Sequence, residues 1–328
     1  MKIVAYIGGL LGLVLLLTLV IRADFAALLQ AFMVAGWRLL WLVPYRLLFF
    51  ALYAAGWLGL LRPGDPQHRA GFGYLLWVTT VREAIDRLLP VASVGGGVVA
   101  VRLLRWCGLA VAPAAASVVV EVLLTLIVAY LFTALGLLLL IQVGAPVHDY
   151  HRMIIVFLLT LPVPIVMALV LHYGSVFQRL HGMLRFLVGE TAMSEAAASL
   201  DEELRASLRR RWSLIVAGVS QFAAFLSGSF EIWFVLRLCG HPISVTDAVI
   251  LESMTQAVRH VAFVIPAAVG VQEAGLVLFG HALGINSELA LAVSMAKRLR
   301  EVLCGLPSLI SWQWLEGSRL QRASGSPS

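Results

Sequence analysis

Charge is scarce in this chain, and lysine is almost missing. Only 13% of the 328 residues are charged while 61% are hydrophobic, against roughly 25% charged in an ordinary soluble domain. Lysine occurs at Lys2 and Lys297 alone, so the net charge of +6 comes from arginine. These absences exclude a soluble globular enzyme. They also exclude a nucleic-acid binder, because no soluble basic domain exists to present the excess. The short alternating segments of a closed β-barrel are missing too. The three cysteines, Cys107, Cys239 and Cys304, stand apart in apolar surroundings without a CxxC pair. That excludes a disulfide framework and a cysteine metal site, and leaves packing as their role. No P-loop, GxGxxG, GxSxG or HExxH motif occurs, and the absence of a phosphate cradle argues against an ATP-driven pump. His148 and His151 of the HDYH stretch lack further ligands and are read as facing water rather than a metal.

What is present is long apolar sequence. We expect an all-α polytopic membrane protein with about six full spans: Ile3–Ile21, Trp37–Leu61, Ala112–Ile141, Met153–His172, Trp212–Leu238 and Glu288–Leu315. Each is near or above the roughly 20 residues that cross the hydrocarbon. The first run is too long for a signal-peptide core and has no small-residue cleavage site, so it reads as a membrane helix. Asp24–Ala35 is short and amphipathic and fits the interface. Gly174–Arg211 is the one substantial polar stretch and reads as a cytoplasmic helix. Placing it inside also puts Lys2, Arg62, Arg69, Arg105, Arg319 and Arg322 inside and leaves Arg22, Arg152 and Arg237 outside. Both termini are then cytoplasmic. Residues 1–316 form the membrane domain, and 317–328 a disordered, Ser-rich tail.

Two regions, Gly71–Arg105 and Val245–Gly284, fit neither span nor loop and are expected to be broken or re-entrant helices. The second contains LESMTQAVRHVAFVIPAAVGVQE, with Glu252, Arg259, His260 and Glu273 in apolar sequence broken by Pro266 and Gly270. Each ionisable group at bilayer depth costs about 2.5–3.5 kcal/mol on insertion scales. Broken backbone is tolerated there only inside protein or beside a wet cavity. The two regions also match in register. Pro90 is followed at +7 by Gly97 and at +18 by Gly108; Pro266 is followed at the same steps by Glu273 and Gly284, and at −7 stand Glu83 and Arg259. Corresponding broken segments in two halves point to inverted repeats around a midplane site.

The candidate substrate-binding or gating residues follow from this. Arg82, Glu83, Asp86 and Arg87 can pair at i,i+4 as Arg82/Asp86 and Glu83/Arg87. They are a polar lining that meets an anionic headgroup, a self-paired structural cluster or an interfacial helix end. Arg102 and Arg105 read as snorkelling to the surface. Glu121 and Glu231 are lone carboxylates within spans, expected either to stay protonated or to pair with an arginine from another helix. Lys297, Arg298, Arg300 and Glu301 come from one AKRLRE run, in which Lys297/Glu301 can pair and the arginines can reach Glu273, Glu252 or a phosphate. Gln256 and Gln272 add neutral hydrogen bonds beside them.

LLPVASVGG with VVAVRLL, ESMTQAVRHVAFVIPAAVGVQEAG, and LALAVSMAKRLREVLCGLPSLISWQ together resemble the flippase-like membrane family that includes the membrane half of lysylphosphatidylglycerol synthase. The resemblance is nearest to its hopanoid-biosynthesis-associated, HpnL-type branch and is strongest from Glu252 to Glu316. It implies a bacterial inner-membrane lipid translocator with re-entrant helices around a central cavity, acting without a cofactor on a membrane lipid such as a hopanoid. Oligomerisation, or association with lipid-synthesis proteins, would fit. Relatives often carry an acidic residue where this chain has Gly97. The resemblance does not extend to the synthase's soluble aminoacyl-transfer domain, so these residues are not expected to make aminoacyl lipid. Two alternatives remain at this point. One is a headgroup-modifying enzyme using Glu252, Glu273 and His260; the other is a non-catalytic scaffold.

Overall fold

Apolar sequence with polar punctuation folds here into helices alone. The computed structural model describes residues 33–89, 95–143, 155, 158–173, 192–261, 265 and 268–324, and among them there is no strand. A 3-10 turn, Gly36–Trp41, leads into α1, Leu42–Leu61. Then come α2, Phe72–Leu88, α3, Gly95–Trp106, and α4, Val111–Gln142. Two further helices, α5, Pro162–Tyr173, and α6, Ala192–Arg209, precede the second series. That series is α7, Arg211–Leu238, α8, Val245–Val261, α9, Val271–Ala282, and α10, Ser287–Ser324. Polar caps set two of its starts. Ser244 and Asp247 form a reciprocal box before α8, with the Asp247 amide 3.0 Å from Ser244 Oγ, and Asn286 Oδ1 accepts the Leu289 amide at 2.9 Å before α10.

Three helical stretches are long and apolar enough to cross a membrane: Met33–Gly64, Val111–Gln142 and Arg211–Leu238. They contain three of the expected spans. The expected span Glu288–Leu315 lies in α10, which is long enough but carries the AKRLRE charges on its inward side. Lys297, Arg300 and Glu301 are buried, whereas Leu299, Val302, Leu306 and Ile310 are exposed. Met153–His172 is helical over Leu158–Leu171 as a shorter apolar segment. Ile3–Ile21, most of Asp24–Ala35, both HDYH histidines, Pro90, Pro266 and Gly174–Thr191 lie outside the described residues. The expected disordered tail differs. α10 stays helical to Ser324, because its last turns are tied to α3 by an Arg102–Glu316 ion pair and by Arg319 stacked 4.4 Å over the Trp106 ring.

The two broken regions are helical hairpins. In the first, Tyr74 near the start of α2 donates to the Leu103 carbonyl near the end of α3 at 2.7 Å. Near the break the Gly96 amide donates to Asp86 at 3.0 Å. In the second, Arg259 on α8 reaches Gln272 on α9 at 2.8 Å, and Gly275 packs against Thr255. Both hairpins therefore enter and return to one face. At 12 residues, α3 and α9 are only about 18 Å long, too short to cross.

They return to opposite faces. α1 and α7 run antiparallel: Tyr45 donates to the Ser227 carbonyl at 2.7 Å, while Gly56 packs on Ala217. The first hairpin follows the end of α1 and the second follows the end of α7, so their mouths are on opposite sides. The packing repeats accordingly, with α2 lying on α10, α8 lying on α4, and α1 on α7. The sequence register agrees. A step of 176 residues carries both ends of α3 onto those of α9 and the start of α4 onto that of α10. It also carries Gly108 onto Gly284, both at positive φ. The chain is an inverted repeat.

Each hairpin mouth has its own apolar core. One gathers Trp57, Leu75, Val78, Leu103, Leu104 and Ala114. The other gathers Ile232, Leu251, Met254, Phe279, Ala290 and Val293. Buried charge occupies the level between them.

Candidate functional site

The inner ends of the two hairpins, backed by α1, α4, α7 and α10, assemble the buried charge. On the first hairpin, α2 turns the sequence REAID–R inward. Glu83 accepts from Arg87 at 3.1 Å and from Arg46 on α1 at 2.8 Å. The i,i+4 pair Glu83/Arg87 forms as the spacing implies. Arg82/Asp86 does not pair; Arg82 bonds Glu121 on α4, because the Asp86 carboxylate already caps the break through the Gly96 amide. That approach demands glycine: a Cβ on residue 96 would lie 2.6 Å from Asp86 Oδ2 and 2.7 Å from the Arg82 carbonyl. Glu121 is fully buried, and its helix neighbour Thr125 shares a 2.5 Å hydrogen bond with Tyr53.

The second hairpin is richer in buried polar groups. Glu252 on α8 bonds Lys297 on α10 and accepts from Gln256 at 2.8 Å. Lys297 thus turns to Glu252 rather than to Glu301, which is held by Arg298 at 3.2 Å and lies 4.0 Å from Arg300. Arg300 itself lies 2.6 Å from Glu231 on α7, close but off-line, an ion pair without an aligned hydrogen bond. Neither Glu121 nor Glu231 is alone, therefore; each neutralises an arginine from another helix. At the N-terminus of α9 a chain runs from Arg259 NH1 to Gln272 (2.8 Å), from Gln272 to Ser294 (2.9 Å), and from Ser294 to Glu273 (2.8 Å). Gln272, Glu273 and Ser294 are all fully buried. Arg298 closes the chain, donating to Glu273 at 3.3 Å and to the Ala268 carbonyl at 3.3 Å. Ala268 holds a positive φ of 48° and Gly270 one of 77°, so the arginine pins the strained turn that breaks the helix.

Two open valences stand out in this chain. Arg259 NH2 and Glu273 Oε2 are buried with no hydrogen-bond partner. Arg259 also has no carboxylate partner among the described residues, only Gln272. A buried cation held by a neutral amide is costly, which suits a site that a ligand completes.

The two clusters meet at a cleft lined by Phe50, Thr80, Glu83, Arg87, Arg300 and Glu301, with a volume of about 10 Å³. That is room for a single water, so α2 of the first hairpin and α10 are closely packed there. The structure thus joins Glu83 and Arg87 to Arg300 and Glu301. It sets Arg259, Gln272, Glu273 and Arg298 in one chain and Glu252, Gln256 and Lys297 in another. His260 is turned aside, its Nδ1 bonded to the Gln256 carbonyl at 2.7 Å and its ring stacked on Phe225.

Arg46 and Ser294 belong to the site and escaped the sequence reading. Arg46 sits in YRLLFF near the start of an otherwise apolar span, and that isolation at bilayer depth was its signal. Ser294 carries no signal of its own. The repeat register supplies one, because Ser294 stands 176 residues after Val118, just as Glu273 stands 176 after Gly97.

The family described as lysylphosphatidylglycerol synthase TM region matches residues 5–307 of this chain. The chain belongs to that family. Membership brings a membrane-lipid-related function and a multi-pass membrane location, in line with the three apolar spans and the buried charge. No curated protein and no solved structure matches it.

Proposed function

We propose that this family member moves a polar-headed lipid between leaflets of the inner membrane, with hopanoids or related lipids as the substrate class that the sequence resemblance favours. The observation that carries the proposal is the incomplete pair at the second break, Arg259 NH2 and Glu273 Oε2. An anionic headgroup oxygen meets the first and a hydroxyl or amine the second. Opposed hairpins support alternating access: one opens as the other closes, and the Glu83–Arg87–Arg300–Glu301 cleft, where α2 of the first hairpin meets α10, is the constriction. Apart from the open valences the charges are matched. Glu83, Asp86 and Glu121 face Arg46, Arg82 and Arg87 in one half. Glu231, Glu252, Glu273 and Glu301 equal Arg259, Lys297, Arg298 and Arg300 in number in the other, with Arg259 itself held by Gln272. Opening therefore exchanges partners rather than exposing a net charge to lipid.

The enzyme alternative needs His260 beside Glu252 or Glu273. No hydrogen bond links them among the described residues, and each already has other partners. A deletion strain separates the readings: transport leaves the lipids chemically normal but misplaced, whereas an enzyme leaves a product missing. For transport itself, leaflet-resolved lipid movement in reconstituted vesicles is expected to fall more than about tenfold in Arg259→Gln, the loss of a charge-assisted bond of about 1.5–3 kcal/mol. An unchanged rate in that variant defeats the proposal.

A further inference from the structure

A second site lies on the mouth side of the first hairpin, away from the buried charge. A groove of about 610 Å³ runs between α3, the start of α4 and the end of α10, lined by Val98, Val101, Arg102, Arg105, Trp106 and Arg319 together with Gly108 and Val111. Its position in depth is set by the fold. α4 is a full apolar span that starts at Val111, so the groove opens at the membrane surface where that span begins. Its walls are mixed in character. Val98 and Val111 are exposed apolar side chains, and Arg102, Arg105 and Arg319 share the lining with them.

The cations are unevenly occupied. Arg102 is paired with Glu316, and Arg319 lies on the face of Trp106. That stacking leaves the guanidinium edge, which carries the N–H donors, free to point away from the ring. Arg105 has no hydrogen bond or ion pair among the described residues. Three cations against one carboxylate leave an excess of two positive charges around an apolar trough with an interfacial tryptophan. Tryptophan and arginine at that level are the chemistry of headgroup contact, and an apolar wall beside them fits an acyl chain.

We infer that this groove binds one anionic, phosphate-bearing lipid, with the phosphate between Arg105 and Arg319 and a chain along Val98 and Val101. The site is independent of the translocation proposal: it has none of the buried residues at the hairpin breaks. It gives the protein a fixed contact with an anionic leaflet on the side where the first hairpin opens.

The test is native mass spectrometry of the full chain in detergent, with phosphatidylglycerol, phosphatidylcholine or inorganic phosphate added at matched concentration. Phosphatidylglycerol adducts are expected to exceed phosphatidylcholine adducts by about tenfold. The Arg105→Gln/Arg319→Gln variant is expected to remove most of that preference, about fivefold for each arginine at a membrane surface. Val98→Trp fills the trough without touching a charge, and is expected to lower both lipid adducts with the elution profile unchanged. Equal adducts of the two lipids in the unmodified chain would overturn the inference, as would an unchanged preference in the double variant. Displacement of the lipid by equimolar inorganic phosphate would assign the site to a free anion and would overturn the lipid assignment.

Discussion

The two halves share the bounds of their short helix and differ in the chemistry of the contacts around it. In the first, Gly97 on α3 lies against Val118 on α4, at ordinary van der Waals distance for a Cβ (3.5 Å). In the second, the same step of the repeat puts Glu273 against Ser294, hydrogen-bonded at 2.8 Å and fully buried. An apolar contact has become a polar one without any shift in the ends of the short helix. The neighbouring α4/α10 position changes sign, although its hairpin partners do not follow the register, since 176 residues after Arg82 stands Val258. Glu121 on α4 meets Arg82 on the first hairpin, while its counterpart Lys297 on α10 meets Glu252 on the second. Conserving the fold thus requires a satisfied ion pair in each half but not a given polarity. The polar contact at Glu273 is surplus to what the first half needs.

The comparison can be broken at several points. Lys297→Met is expected to have the largest effect. It leaves Glu252 buried without its cation, at about 3–5 kcal/mol, so thermal unfolding in detergent should show a large loss of stability. Arg82→Met should match it through Glu121, and Lys297→Met combined with Glu252→Gln should recover much of the loss. Next is Gly97→Glu, which imposes the second half's residue on the first. Facing Val118 with no partner, it is expected to cost about 2.5–3.5 kcal/mol, of which Val118→Ser returns about 1 kcal/mol by supplying a donor. Full tolerance of Gly97→Glu alone would show that the two contacts are not equivalent.

Close approach is expected to matter less, at about 1–3 kcal/mol. Gly136 lets α4 meet α8, where a Cβ would lie 1.8 Å from Ser253 Oγ; Gly305 lets α10 meet α2, where it would lie 2.6 Å from the end of Leu88. Gly136→Ala should destabilise more than Gly305→Ala, because a leucine tip can move aside. The smallest effect belongs to the pair Arg102–Glu316, whose arginine side chain is 58% exposed. Arg102→Gln should shift stability by about 0.2–1 kcal/mol and less at high salt.

Much of this was legible in the residues. Apolar runs mark the three clear spans, and Pro, Gly and charge together mark both hairpins, since lipid tolerates neither freed backbone nor isolated ions. The matching steps from Pro90 and Pro266 reveal the repeat, and the structure extends that register into helix ends. Pair assignments were harder. Local spacing offers Arg82/Asp86 and Lys297/Glu301, yet the fold brings Glu121 and Glu252 closer from other helices, and a buried charge takes the partner that desolvation leaves it. The helical end of α10 was hidden for the same reason: Arg319 is ordered by Trp106, which is far away in sequence. Pro266 itself lies outside the described residues, so the turn is defined by Ala268 and Gly270.

If the second half carries the chemistry, a single residue separates its function from its fold. Leaflet-resolved lipid movement should be measured in vesicles holding the unmodified chain, Glu273→Ala, or Val118→Ser as the first-half control. Glu273→Ala is expected to bring transbilayer movement down to the protein-free rate while Val118→Ser stays near the unmodified rate. Equal rates for the unmodified chain and Glu273→Ala would contradict a headgroup site at the second break.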